Sequence, residues 1–226
     1  RAYRQTHERL ASLDEALGRE DASLRPSPWE EVRDFFHYCD NYIDAVDRAA
    51  ENFAAPASPT GPATDITRIA IAALERRGIT TVFTDQPETR RYDAATKRLA
   101  LSNRTAVPTQ RFQLLLQVAL LTQNELIEAT LDLARFATPE ARDIAKIGLA
   151  NYFAGAALLP YRAFQAAALE TRHDLERLAD LFGASIEQVA HRLATLQRPG
   201  AKGIPFFFVR VDQAGTITKP VSYTHL

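Results

Sequence analysis

Arg111–Leu121 reads Arg-Phe-Gln-Leu-Leu-Leu-Gln-Val-Ala-Leu-Leu, and eight of these eleven residues are apolar, covering every side of a helical turn. A surface helix keeps its hydrocarbon to one stripe, so a helix of this kind belongs in the middle of a protein. It falls well short of the length needed to cross a bilayer, which requires about 20 apolar residues. The burial is therefore inside a folded domain, and the remaining segments are read as layers around it.

Upstream, Tyr3, Thr6, Leu10, Leu13 and Leu17 recur at helical spacing with a heptad-like seam. Ser27-Pro28-Trp29-Glu30 supplies an N-cap, a first-turn proline and a capping-box Glu. From there Val32, Phe35, Phe36, Cys39, Tyr42, Ile43, Val46, Ala49, Ala50 and Phe53 hold one face for about six turns. The two segments form a helical hairpin or a dimer contact, and packing of the stripe on its own domain is the competing reading. Ala54–Ala63, rich in Pro, Ala and Ser, is a linker. Asp65–Arg77 is a helix stopped by Gly78, and Ile79–Thr84, Thr89–Tyr92 and Lys97–Ser102 are short strands of an antiparallel meander.

After the central helix a helical stretch runs to Phe136, and Thr138-Pro139-Glu140 opens a further helix that Pro160 ends. Leu175–Leu196 has the outline of a helix-turn-helix, with Gly183 at the turn, Ser185 as N-cap and Gln188 at the capping-box position. Ile186, Val189, Ala190 and Leu193 are expected to face inward. Between His173 and Arg198 the acids Asp174, Glu176, Asp180 and Glu187 oppose the bases Arg177, Arg192 and Arg198. That balance does not suit a polyanion, so the pair reads as a structural closure of the domain. Ile204–Val211 and Thr216–Lys219 form a hairpin across Asp212–Gly215, apolar on both faces.

A net charge of −1 gives no general attraction to nucleic acid or anionic lipid. The single Cys39 excludes an internal disulfide and fits a reducing cytoplasm. The five histidines, at 7, 37, 173, 191 and 225, show no metal-ligand spacing, and neither a Gly-rich phosphate loop nor a nucleophile elbow is present. The sequence contains no Met, and Val221–Leu226 reads as a translated sequencing adaptor, so a piece of a longer protein is expected.

The central helix and the helix after it also carry a resemblance. Arg111-Phe112-x-Leu114 resembles the helix of ImmA/IrrE-type metallopeptidase domains, ordinarily Arg-Phe-Thr-Leu-Ala-His-Glu-Leu-Gly-His. The two His positions fall on Leu116 and Leu120 and the Glu position on Gln117. Ala150-Asn151-Tyr152-Phe153-Ala154 matches the second motif, whose Glu ligand falls on Ile147. Leucine and isoleucine have no lone pair for a metal. Longer runs, Glu30–Phe36, Asn41–Asp44, Gly148–Gly155 and Leu196–Asp212, resemble the bacterial short-chain fatty acyl transcriptional regulators. That resemblance implies an N-terminal helix-turn-helix before this chain, then a degenerate ImmA/IrrE-like domain, then a small C-terminal domain cut short.

The expected fold is α+β and mostly helical: a small antiparallel sheet on a degenerate zincin-like helical domain, preceded by a helical hairpin. The expected division is 1–55 for the hairpin and linker, 65–197 for the ImmA/IrrE-like domain, 204–220 for the truncated domain and 221–226 for the non-native tail. If the old cleft persists, its polar groups are Gln117, Asn151, Tyr152 and Tyr161; collapse of Leu116 and Leu120 into it is the alternative. A second expected surface is Arg198, Lys202, Phe206, Phe208 and Arg210, where cations beside aromatic rings suit the phosphates and adenine of a coenzyme A ester. No catalytic residue, metal or cofactor is expected. The expected partners are a small-molecule effector of acyl-coenzyme A type, DNA only through the missing N-terminal domain, and a second copy of the chain, in the cytoplasm and without a membrane. An active zinc peptidase and a purely structural dimerisation module are the rival readings.

Overall fold

The computed structural model describes residues 26–57, 64–207, 210–211 and 217–218. The expected helix over Tyr3–Leu17, the chain's last residues and Phe208 lie outside them.

The first apolar stripe forms two helices instead of one: α1 (Pro28–Tyr38) and α2 (Asp44–Ala54). Asp40 and Asn41 break it in the left-handed region, φ 52° and 57°, a conformation that short polar side chains tolerate best. The stripe survives the break, because Val32, Phe36, Tyr42, Ile43, Val46, Ala50 and Ala54 are all buried. The expected Ser27–Glu30 capping box is present.

Helix α3 (Thr64–Glu75) ends at Gly78, φ 74°, and leads into β1 (Thr80–Thr84), β2 (Arg90–Asp93) and β3 (Arg98–Ser102). The sheet is not the expected antiparallel meander. Its order is β1-β3-β2, with β1 parallel to β3 and only β2 antiparallel to it. Burial explains the order. Leu99 and Leu101 of β3 are fully buried, which suits a central strand, whereas Arg90-Arg91-Tyr92-Asp93 is too charged for any place but an edge. The loop between β1 and β2 is tied across β3: Ser102 Oγ donates to the Gln86 carbonyl and Gln86 Nε2 to the Ala100 carbonyl.

Helix α4 (Val107–Thr122) is the expected central helix, with every residue from Phe112 to Ala119 buried. Gln123 separates it from α5 (Asn124–Ala134). Thr138 caps α6 (Pro139–Leu158), which packs more extensively on α4 than on any other element and also against α1 and α2. Pro160 both stops α6 and starts α7 (Tyr161–Glu170), a helix absent from the expectation, because a proline that ends one helix also has the fixed φ that opens the next. Then α8 (Leu175–Phe182) and α9 (Ile186–Ala194) meet at left-handed Gly183, and Ser185 with Gln188 makes the expected capping box.

Ile186, expected inside, is 48% exposed; Gln188 takes the buried place and donates to the Pro108 carbonyl. Strands β4 (Arg210–Val211) and β5 (Ile217–Thr218) pair antiparallel at the expected hairpin. No helix among the described residues is long and apolar enough to cross a membrane.

Candidate functional site

Two helices, α4 and α6, carry the positions that a zinc peptidase would use. On α4, Leu116 and Gln117 are each 4% exposed and Leu120 is packed at the margin of the core. On α6, Asn151 is buried and Ile147 lies 46% exposed. Zinc does not fit this set. Three hydrocarbon side chains occupy the ligand positions, and the Gln117 amide has no basic oxygen with which to activate water. Among the described residues no group of three His, Cys, Asp or Glu side chains is placed to hold a metal ion.

The strongest polar constellation lies elsewhere, around Asp47 of α2. Its carboxylate is fully buried. Arg192 of α9 places Nη1 2.6 Å from Oδ2 and Nη2 3.3 Å from Oδ1. Arg198 donates from Nη2 to Asp47 Oδ1 at 3.0 Å and to Glu51 Oε2 at 2.8 Å. The Tyr152 hydroxyl of α6 donates to Asp47 Oδ2 at 2.8 Å and accepts from the Ile43 N–H at 3.2 Å. Arg198 also donates from Nε to the Tyr42 hydroxyl, and its guanidinium lies 4.1 Å from the Tyr161 ring centre. Tyr161 accepts from the Arg198 N–H and donates to the Ala201 carbonyl.

Two carboxylates thus face two guanidinium groups, and phenols, the Thr195 hydroxyl and the Leu159 carbonyl supply further hydrogen bonds. Burial alone would push the Asp47 carboxyl up. The Arg192 charge and its hydrogen bonds, with that of Tyr152, outweigh it and hold the carboxyl below the usual carboxylate range. Burial and then the Asp47 charge keep the Tyr152 phenol well above its ordinary value. Burial opposes the charged form of Arg192, and Asp47 more than compensates, raising its affinity for the proton.

Of the residues expected to bind ligand, Tyr152, Tyr161 and Arg198 come together here, with their polar atoms engaged by protein partners. Gln117 and Asn151 sit on α4 and α6 among the buried polar residues. Lys202 is exposed, its Nζ 3.7 Å from Asp40 Oδ2. Phe206 rests against the His173 ring, Phe208 is outside the described residues, and Arg210 is described only as a backbone position in β4.

The sequence reading missed Asp47, Glu51, Tyr42 and Arg192. A signal for two of them exists: Asp47 falls between Ile43, Val46 and Ala50 on a buried face, and Arg192 between Val189 and Leu193. A charge on such a face requires a partner, although periodicity does not say which. The burial of Arg192 and Arg198 against Asp47 also removes two of the three bases counted near the helix-turn-helix outline from any contact with phosphate.

Comparison with known proteins places this geometry in context. Residues 74–194 match the family described as IrrE N-terminal-like domain. Residues 195–226 match the family described as short-chain fatty acyl coenzyme A regulator, C-terminal. The chain is 74% identical over 224 residues to a propionyl-CoA carboxylase regulator of Cereibacter sphaeroides, covering 99% of this chain and 48% of that protein. It is 47% identical over 204 residues to the HTH-type transcriptional regulator PrpR of Mycobacterium tuberculosis, covering 88% of this chain and 42% of that protein. A solved structure of a Mycobacterium tuberculosis transcriptional regulator superposes with a TM-score of 0.79 at 44% identity, covering 86% of this chain and 59% of that one. The chain spans about half the length of the curated relatives it matches.

Proposed function

The chain belongs to the IrrE N-terminal-like domain family, in the branch that adds a short-chain fatty acyl coenzyme A regulator segment, and from that premise we propose that it is the effector-sensing part of a transcriptional regulator of short-chain acyl metabolism. It does no peptide hydrolysis, because the ligand positions hold Leu116, Leu120 and Ile147. The effector is a short-chain acyl-coenzyme A, and contact with DNA is made by parts of the whole regulator other than α8 and α9. A second copy of the chain completes the assembly, in the cytoplasm.

The observation that supports this reading best is the Asp47 cluster. It joins α2, which precedes the matched IrrE-like region, to Arg192 near the end of that region and to Arg198 in the regulator segment. A buried, fully paired cluster has few intermediate arrangements, since loss of one partner strands a charge in a low-dielectric site. A ligand that favours one arrangement of these segments therefore shifts the population of the whole body. The test is thermal denaturation of the purified chain with increasing propionyl-, acetyl- and butyryl-coenzyme A. The expected result is a concentration-dependent rise in Tm, following the linkage of binding to stability. No rise with any ester at millimolar concentration would sink the proposal.

A further inference from the structure

A cleft of about 490 Å³ opens between α3, β1 and α4, within the range of roughly 300–1,000 Å³ that holds small organic ligands. Ile71, Phe83 and Leu114 give it apolar walls, and Arg68 of α3 and Arg111 of α4 bring two guanidinium groups to it. On α4 the cleft residues Arg111 and Leu114 stand three apart. Leu116, the old ligand position, lies two further on, about 200° around the helix axis. The cleft is therefore not the vestigial catalytic groove.

The charge in it is not balanced from within. Glu75 is the one acid among the described lining residues, and among the described side chains no carboxylate pairs with Arg68 or Arg111. Partial burial works against the Arg111 charge, and among the described residues its guanidinium donates to the Gly183 carbonyl, 2.9 Å from Nη1, and to no carboxylate. By contrast, the buried Arg192 and Arg198 each have a carboxylate.

We propose that this cleft is the effector site, taking an amphipathic organic anion whose short hydrocarbon part lies on Ile71, Phe83 and Leu114 and whose phosphate or carboxylate meets Arg68 and Arg111. This rests on the acyl-sensor reading above and assigns it a place. The anion draws Arg111 away from Gly183, the left-handed turn between α8 and α9, and α9 carries Arg192 into the Asp47 cluster. The same arginine thus serves ligand and turn.

Titration calorimetry on the whole chain with propionyl-coenzyme A, coenzyme A and propionate tests it. Wild type binds; Arg68→Glu, at an exposed position, and Ala72→Phe, which fills the cleft, each weaken binding at least tenfold. Arg177→Glu, the same charge change on an exposed face of α8, stays within twofold. Circular dichroism confirms folding, and Arg68→Glu carries the test if Ala72→Phe does not fold. Binding of the ester but not of propionate identifies the thioester as the source of the anion; equal binding of propionate identifies the free acid. Coenzyme A binding as tightly as its ester would overturn the acyl contact. Folded Arg68→Glu and Ala72→Phe proteins that bind like wild type would remove the cleft from the proposal and leave the sensor reading standing. A wild type that binds none of the three probes would overturn both.

Discussion

Arg192 and Asp47 stand 145 positions apart and meet at 2.6 Å in a site from which water is almost wholly excluded, their side chains 3% and 0% exposed. Such a pair is weak evidence for stability in itself, because desolvating two charges cancels much of their attraction. What it does enforce is register. With Arg198 as third member, the cluster fixes where α2, α6 and α9 sit relative to the segment that follows them.

Removing Asp47 leaves Arg192 buried without an ion-pair partner and Arg198 paired only with Glu51 among the described residues. Asp47→Ala is expected to cost about 3–5 kcal/mol of folding stability. Tyr152→Phe removes the hydrogen bond to that carboxylate and the acceptor of the Ile43 N–H, and is expected to cost about 1.5–3 kcal/mol. Urea denaturation of both variants checks the ranking; equal losses would mean that Asp47 is not the centre of the cluster.

The same cluster sets an acid limit. The Asp47 carboxyl lies below its unfolded value, so its contribution is fully present above about pH 4 and is lost as pH falls through the folded value. His191 adds a second window. Burial lowers its pKa, with Glu187 opposing, so the unfolded chain takes up a proton first. Stability is therefore full above about pH 6.5 and declines as pH falls from there toward the folded value. Melting temperatures from pH 3 to 8 should show both declines, and His191→Gln should remove the upper one alone.

The sequence allowed α4 to be identified as the core because hydrocarbon on every side of a helix has few other homes. It allowed the caps at Ser27, Thr138 and Ser185 to be found because side-chain capping is local. Sheet order was not legible: strand length and alternation say nothing about which neighbour a strand chooses, and only the charge on Arg90-Arg91 points to an edge. The break at Asp40-Asn41 was hidden by an apolar stripe that keeps its phase across it. The internal bonds of Arg198, Tyr152 and Tyr161 were equally hidden, because a partner 37 to 151 positions away leaves no mark in local spacing.

Arg90 is a second consequence of the charged edge strand. It shares a sheet face with Leu101, its register partner, and its Nη1 is enclosed with no hydrogen-bond partner among the described residues. Burial holds its guanidinium below the ordinary range, and among the described residues no carboxylate offsets that. An unmet donor of this kind costs about 1–3 kcal/mol, so Arg90→Met, which keeps the hydrocarbon stem, is expected to stabilise the fold by about 1 kcal/mol. An unchanged or lower urea midpoint would show that the guanidinium makes a contact worth keeping.

The former metal positions give the last prediction. Wild type offers zinc no donors at Leu116, Leu120 and Ile147, so neither zinc nor a chelator should move its Tm. In Leu116→His/Leu120→His/Ile147→Glu the glutamate enters a position already 46% exposed, whereas the first imidazole replaces a side chain only 4% exposed. Without metal, a polar ring takes the place of buried hydrocarbon, and the variant should lose several kcal/mol. Zinc binding only to the folded variant should return much of that loss. A zinc-dependent rise in Tm confined to the variant would mark the helix pair as a metal scaffold whose ligands were replaced. A zinc-dependent rise in wild type would mean that donors other than these positions hold a metal, and would reopen the peptidase reading.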